Sequence, residues 1–125
     1  METSGLRGYL NGAFYELFSD EDSARMLVTK VVAANSKNGR VSGGNDTDDR
    51  IFLLSADEIQ RYFDTDEKRL AQSRFGEIEA WWTRTPTNSA SGKNPVFVSE
   101  RGRFTESGTA GNGGIRPAMW IRIAP

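Results

Sequence analysis

Cysteine and histidine are both absent from this chain of 125 residues. Without Cys there is no disulfide, no thiolate nucleophile and no Cys-based metal site. Without His the chain lacks the commonest general base and the commonest transition-metal ligand. Zinc, haem and iron–sulfur chemistry are thereby excluded as expectations. An excess of one charge is missing too, since 16 Lys and Arg stand against 17 Asp and Glu for a net charge of −1. With those charges scattered, no electrostatic footprint of a phosphate-backbone binder exists, and nucleic acid is not an expected partner. Apolar runs such as Met26–Val28 and Ile51–Leu54 fall far short of the roughly 20 residues that span a bilayer, so no membrane insertion is expected. Residues 1–20 show no basic region followed by an apolar stretch, the pattern of a secretory signal.

What is present suits a folded domain. Hydrophobic residues make up 37% and charged residues 26%, ordinary usage for a globular chain, and the length matches one domain. Most of the 13 glycines follow residue 38, which places tight turns and loops in the second half.

Leu6, Tyr9, Leu10, Phe14 and Leu17 recur at helical spacing, so a helix is expected over 4–18, capped by Thr3 or Ser4. Gly5, Gly8 and Gly12 weaken it, and imply close packing against a neighbour. Ser19 before Asp20-Glu21-Asp22 predicts a short helix over 20–25. Met26–Ala34 reads as a strand, Asn35–Asp49 as a long loop, and Ile51–Leu54 as a buried strand. Ser55 and Glu58 make a capping box for a helix over 56–63. A second short helix and a loop follow over 64–74, with Leu70 and Phe75 as apolar anchors. Strands are then expected over 80–85, 95–99, 103–106 and 115–123, with Glu100-Arg101-Gly102 as a hairpin connection. In the last of these, Ile115, Pro117, Met119, Ile121 and Ile123 alternate with Arg116, Ala118, Trp120 and Arg122 and predict a core face. Helices first and strands afterwards argue for an α+β fold with an antiparallel sheet.

Several segments carry a resemblance: Glu2-Thr3-Ser4, Leu10-Asn11, Gly43-Gly44-Asn45-Asp46-Thr47, Ile51-Phe52-Leu53-Leu54-Ser55, Trp81-Trp82-Thr83-Arg84-Thr85-Pro86 and Ile115-Arg116-Pro117-Ala118-Met119-Trp120. In this order they resemble an uncharacterised bacterial and phage domain family. Its Trp-Trp and Arg-Pro-Ala segments are similar to the formylglycine-generating-enzyme-like branch of the C-type lectin fold, which includes variable proteins of diversity-generating retroelements. The resemblance implies one C-type-lectin-like domain over residues 1–125, N-terminal helices packed on a small antiparallel sheet with long glycine-rich loops, lacking a further N-terminal strand. It also implies exposure at a cell or virion surface. The catalytic branch uses a cysteine pair or a histidine-rich metal site, and this chain has neither residue type.

The candidate residues follow from chemistry and resemblance together. Trp81 and Trp82, adjacent on a strand, point to opposite faces. One is expected to be buried, and the other either packs under loops or offers a flat stacking surface. Arg84 and Arg116 can each grip a carboxylate bidentately, and an internal partner such as Asp49 or Glu79 is favoured. Trp81, Arg84, Arg116 and Trp120 are thus read as structural. Asn45, Asp46 and Asp48 cluster oxygen atoms that calcium could use, although an Asx-rich turn satisfying its own backbone is the preferred reading and no cofactor is expected. Loops over 87–94 and 107–114 have the adaptable polar composition of binding loops. Trp82, Asn88, Asn94, Arg101, Arg103 and Asn112 are therefore the expected surface of a non-catalytic binding module for a glycan or protein. Two other readings stay open. An assembly module would pair through the Ile115–Ile123 edge, giving a homo-oligomer. A carboxylate hydrolase would require two acids at glycosidase separation.

Overall fold

The computed structural model describes residues 5–88, 95–106 and 113–123. Within them the chain forms short helices and three small antiparallel sheets, an α+β arrangement. It divides into two compact units, one of residues Met1–Ala33, Gly44–Phe52 and Pro117–Pro125, the other of Ala34–Gly43 and Leu53–Arg116. No helix among the described residues is long and apolar enough to cross a membrane.

In the first unit the expected opening helix is present but changes pitch. It runs as α1 over Gly5–Tyr9, as a π-helix over Leu10–Phe14 and as a 3-10 turn over Tyr15–Leu17. The widening has a local cause. Asn11 Nδ2 donates to the Arg7 carbonyl at 3.2 Å, the acceptor that an α-helix reserves for the Asn11 backbone N–H, and a side chain inserted in the ladder opens it. Close packing at Gly5, Gly8 and Gly12 is not found among the described residues, where a Cβ at any of them would meet nothing within 4 Å. The proposed caps Thr3 and Ser4 lie outside the described residues. Helix α2, Asp20–Arg25, starts where expected, with Ser19 Oγ accepting from the Asp22 N–H.

The expected strand over 26–34 shrinks to β1, Thr29–Val31, and the loop over 35–49 ends in β2, Thr47–Asp49, paired antiparallel with β1. Two further contacts are single bridges, Met26 to Ile121 and Phe52 to Ala118. Ile51, Phe52 and Leu53 are buried as expected, yet form no strand. Their backbone is held instead by side chains and isolated bridges. The amide of Asn11 receives the N–H groups of Arg50 and Ile51 and donates to the Ile51 carbonyl at 2.8 Å, which with Arg7 uses its full bonding capacity.

The second unit follows its local signals more closely. Helix α3, Ala56–Tyr62, has both halves of the Ser55–Glu58 capping box. The next helical element is a 3-10 turn, Glu67–Arg69, followed by a hairpin of β3, Ala71–Gln72, and β4, Ile78–Glu79. Leu70 and Phe75 do not anchor this segment: both are exposed, Phe75 at 76%, while buried Arg69, its guanidinium 4.8 Å from the Phe104 ring centroid, and half-buried Ala71 take their place. The three-stranded sheet follows in the order β5, Trp81–Pro86, then β6, Pro95–Val98, then β7, Phe104–Thr105.

The expected strand over 115–123 is the main correction. It makes only isolated bridges, at Ala118 and Ile121, and its apolar alternation does not face a core. Ile115, Ile121 and Ile123 are exposed, Ile123 at 86%. Alternation records the pleat of an extended chain, but not whether a second layer covers the apolar side.

Candidate functional site

Strand β5 carries the recognisable Trp-Trp segment, and its register divides the two indoles. Trp81 stands opposite Val98, which stands opposite Phe104. This face buries Trp81, Val98 and Ile59, with Leu54, Phe63, Ala71 and Phe104 packed around them. The Trp81 Nε1–H donates to the Arg69 carbonyl at 2.9 Å, so the buried indole loses no hydrogen bond. Arg116 lies with its guanidinium 4.5 Å from the Trp81 ring centroid and 5.4 Å from that of Phe63. No carboxylate among the described residues pairs with it. Its Nη1 is buried without a hydrogen-bond partner among the described residues, and burial lowers its pKa.

The opposite face places Trp82 opposite Phe97 and Phe97 opposite Thr105. Trp82 is half-buried and meets Phe97 edge-on at 5.7 Å between centroids, the geometry preferred by ring quadrupoles. The free edge of β5 is occupied by backbone bonds from Trp82 to the Gly114 carbonyl and from Arg84 to the Leu54 carbonyl.

Arg84 has an internal carboxylate, as expected, but it is Glu58 rather than Asp49 or Glu79. Its Nη1 donates both to Glu58 Oε1 and to the Leu53 carbonyl. The same carboxylate oxygen accepts the Ser55 N–H, so one glutamate caps α3 and ties it to β5. Burial pushes the Glu58 carboxyl up, but the hydrogen bonds from Arg84 and Ser55 together with the Arg84 charge outweigh it and hold the group below its ordinary value. Asp49 pairs elsewhere: Arg7 Nε donates to both its oxygens at 2.9 and 3.0 Å, and Thr47 Oγ1 donates at 2.7 Å.

The proposed binding residues do not all converge. Asn88 lies beyond the Pro86 end of β5, six residues from Trp82 and therefore roughly 20 Å away in extended chain. It is held by neighbours: its N–H and Nδ2 donate to the Glu106 carboxylate, and its Oδ1 accepts the Asn38 N–H at 2.8 Å. Arg101 and Arg103 lie at the other end, in the turn between β6 and β7, both exposed, with Arg103 3.5 Å from Asp66. That turn is rigidly set. Gly102 has φ of 79°, and a Cβ there would fall 2.0 Å from the Asp66 carbonyl oxygen. Asn94 and Asn112, with most of their loops, lie outside the described residues.

Among the calcium candidates, Asp46 accepts the Ala33 N–H at 2.7 Å and stands 3.8 Å from Lys30. Asp48 stands opposite Lys30 in the β1–β2 register, and Asn45 is exposed. No group of three or more acidic side chains among the described residues could hold a metal ion. Trp120 is 53% exposed, with its carbonyl accepting the Leu27 N–H. Sequence reasoning missed Asn11, Asn38 and Glu106 as organising residues, and found Glu58 as a cap without its ion pair to Arg84. None of the three carried a local signal, since the partners they organise lie 18 or more residues away.

The family model for the Domain of unknown function (DUF6273) matches residues 2–123, and the chain belongs to that family. No curated protein and no solved structure matches it.

Proposed function

We propose that this member of the DUF6273 family is a non-catalytic ligand-binding module on a C-type-lectin-like scaffold, with a glycan or protein as its ligand. The observation that carries the reading is the placement of Trp82. It is half-buried, supported edge-on by Phe97, and faces away from the cluster of Ile59, Trp81 and Val98. An indole fixed in this way offers flat apolar surface at low entropic cost, which suits stacking on a sugar ring or a peptide side chain. Thr105 adds a hydroxyl on the same face, and Arg103, one residue before β7, adds a cation at its margin. Asn88 is assigned a supporting role, since its polar groups are already used by Asn38 and Glu106. The lectin-like scaffold rests on the likeness of the Trp-Trp and Arg-Pro-Ala segments.

A glycan array and an affinity capture with the whole chain are expected to yield a ligand. Amide chemical-shift changes on adding it should centre on Trp82, Phe97 and Thr105. Trp82→Ala should abolish binding while the circular dichroism and melting of the chain stay close to the parent. A ligand bound equally well by the folded Trp82→Ala variant would remove the site from this face.

A further inference from the structure

Among the described residues the guanidinium of Arg116 has neither a partner of opposite charge nor an acceptor. Four arginines lie over aromatic rings, Arg50, Arg69, Arg74 and Arg116, and Arg69 shows what such a group looks like when it holds the second unit together. Buried against Phe104, Arg69 donates from Nε to the Phe63 carbonyl at 2.8 Å and from Nη1 to the Asp66 carboxylate at 3.1 Å. Arg50 and Arg74 are exposed, so water serves them. Arg116 differs from all three. It is half-buried, lies 4.5 Å from the Trp81 centroid and 5.4 Å from that of Phe63, and its buried Nη1 makes no hydrogen bond. Withdrawing a charged donor from water without a replacement acceptor is costly. Burial is what lowers its pKa, with no neighbouring charge contributing. Glu79, one of the internal partners expected from the sequence, has its Oε2 3.9 Å from where a Gly114 Cβ would stand, yet the Arg116 Nη1 stays unpartnered.

We propose that Arg116 anchors a second ligand site, one that takes the carboxylate group of an organic acid. Nη1 is the one buried nitrogen of the guanidinium. That leaves Nε and Nη2, the edge whose two N–H bonds run parallel and match the two oxygens of a carboxylate. Trp81 and Phe63 fix the plane of the group before a ligand arrives, so little rotamer entropy is lost on binding. The charge selects the ligand class. One guanidinium with no second cation beside it balances a monoanion, whereas a phosphate or sulfate dianion would be left half-neutralised in a partly dry place. The site goes beyond the Trp82 reading. Trp81 and Trp82 point to opposite faces of β5, so the two sites stand or fail separately.

Titration of the whole chain with sodium acetate at constant ionic strength and about pH 6, where acetate is ionised, tests it through the side-chain Nε–H resonance of Arg116. The signal is assigned through bonds from the backbone and needs no variant. It is expected to move saturably at roughly millimolar acetate, while that of Arg74, an exposed arginine also stacked on a ring, drifts no more than with chloride. Acetylglycine in a second arm separates the sources of the carboxylate: tighter binding than acetate marks a peptide carboxyl terminus, and equal binding a small free acid. Arg116→Lys keeps the charge but loses the fork, and should weaken acetate binding about tenfold or more with the circular dichroism unchanged. Glu79→Gln should leave acetate binding within about twofold of the parent. The proposal is overturned if Arg116 responds to acetate no differently than to chloride, or if the folded Lys variant binds acetate as well as the parent. It is overturned equally if Glu79→Gln tightens binding about tenfold, since an internal carboxylate would then already hold the guanidinium.

Discussion

The two units of the chain solve the problem of holding a short polypeptide in different ways. The second has an apolar centre in Ile59, Trp81 and Val98, and places one of its ionic contacts, Arg84 with Glu58, where it joins a helix cap to a strand. The first buries Leu10, Met26, Val31, Ile51 and Phe52, but its segments are tied largely by polar side chains reaching across the chain, Arg7 to Asp49 and Asn11 to residues 50 and 51. It keeps large hydrophobics outside. Burial is non-directional and cooperative, whereas a polar tie is strong only while every bond in it is made. The first unit should therefore be the earlier to open.

The largest effect is expected from Trp81→Ala. It removes the centre of the apolar cluster, the hydrogen bond to Arg69 and the ring beneath Arg116, and should destabilise the chain by about 3–5 kcal/mol in chemical denaturation. A loss below about 1 kcal/mol would mean that the cluster does not govern the second unit.

How much of this contrast could be read from the sequence depends on the range over which each signal acts. The caps of α2 and α3 were legible because Ser19 and Ser55 bond residues three positions away. The strands β5, β6 and β7 and the turn at Gly102 were legible because hairpin signals are local as well. The burial of Ile51–Leu53 was also legible, but its non-strand backbone was not, since that depends on Asn11 forty residues earlier. Arg84 announced an ion pair without its partner, and Trp82 announced a second face without what lies against it. The alternation over 115–123 was read as a core because nothing local records whether a second layer covers it.

Next in size is the Arg84–Glu58 pair. Arg84→Ala leaves a carboxylate, half-buried beside the cap, without its counter-ion and should cost about 3 kcal/mol. Glu58 also brings a pH dependence. Its folded pKa lies below the ordinary 4.5, so the folded state binds its proton less readily than the unfolded chain. The stability from this group is fully present above the unfolded pKa and is lost as pH falls through the folded one. Glu58→Gln should flatten the acid limb of a stability–pH curve, and an unchanged limb would count against the pair.

In the first unit, Asn11→Ala deletes four hydrogen bonds at once and should cost about 1–3 kcal/mol. Native-state hydrogen exchange makes the comparison direct: amides of 5–17 and 47–51 are expected to open at lower free energy than those of β5 and β6. Equal protection would erase the distinction between the units. The smallest effect is expected from Phe75→Ser at the β3–β4 tip, within about 0.5 kcal/mol of the parent.

The three tryptophans occupy three different dielectric surroundings, and this has a spectroscopic consequence. Trp81 is buried under a guanidinium, Trp82 is half-buried against Phe97, and Trp120 is 53% exposed. Indole emission moves to longer wavelength as its surroundings become polar, so the intrinsic fluorescence of the unlabelled chain is a superposition of blue, intermediate and red components. Trp81 and Trp82 report on one unit and Trp120 on the other. The shape of a single emission band can thus tell which part of the molecule has changed its environment.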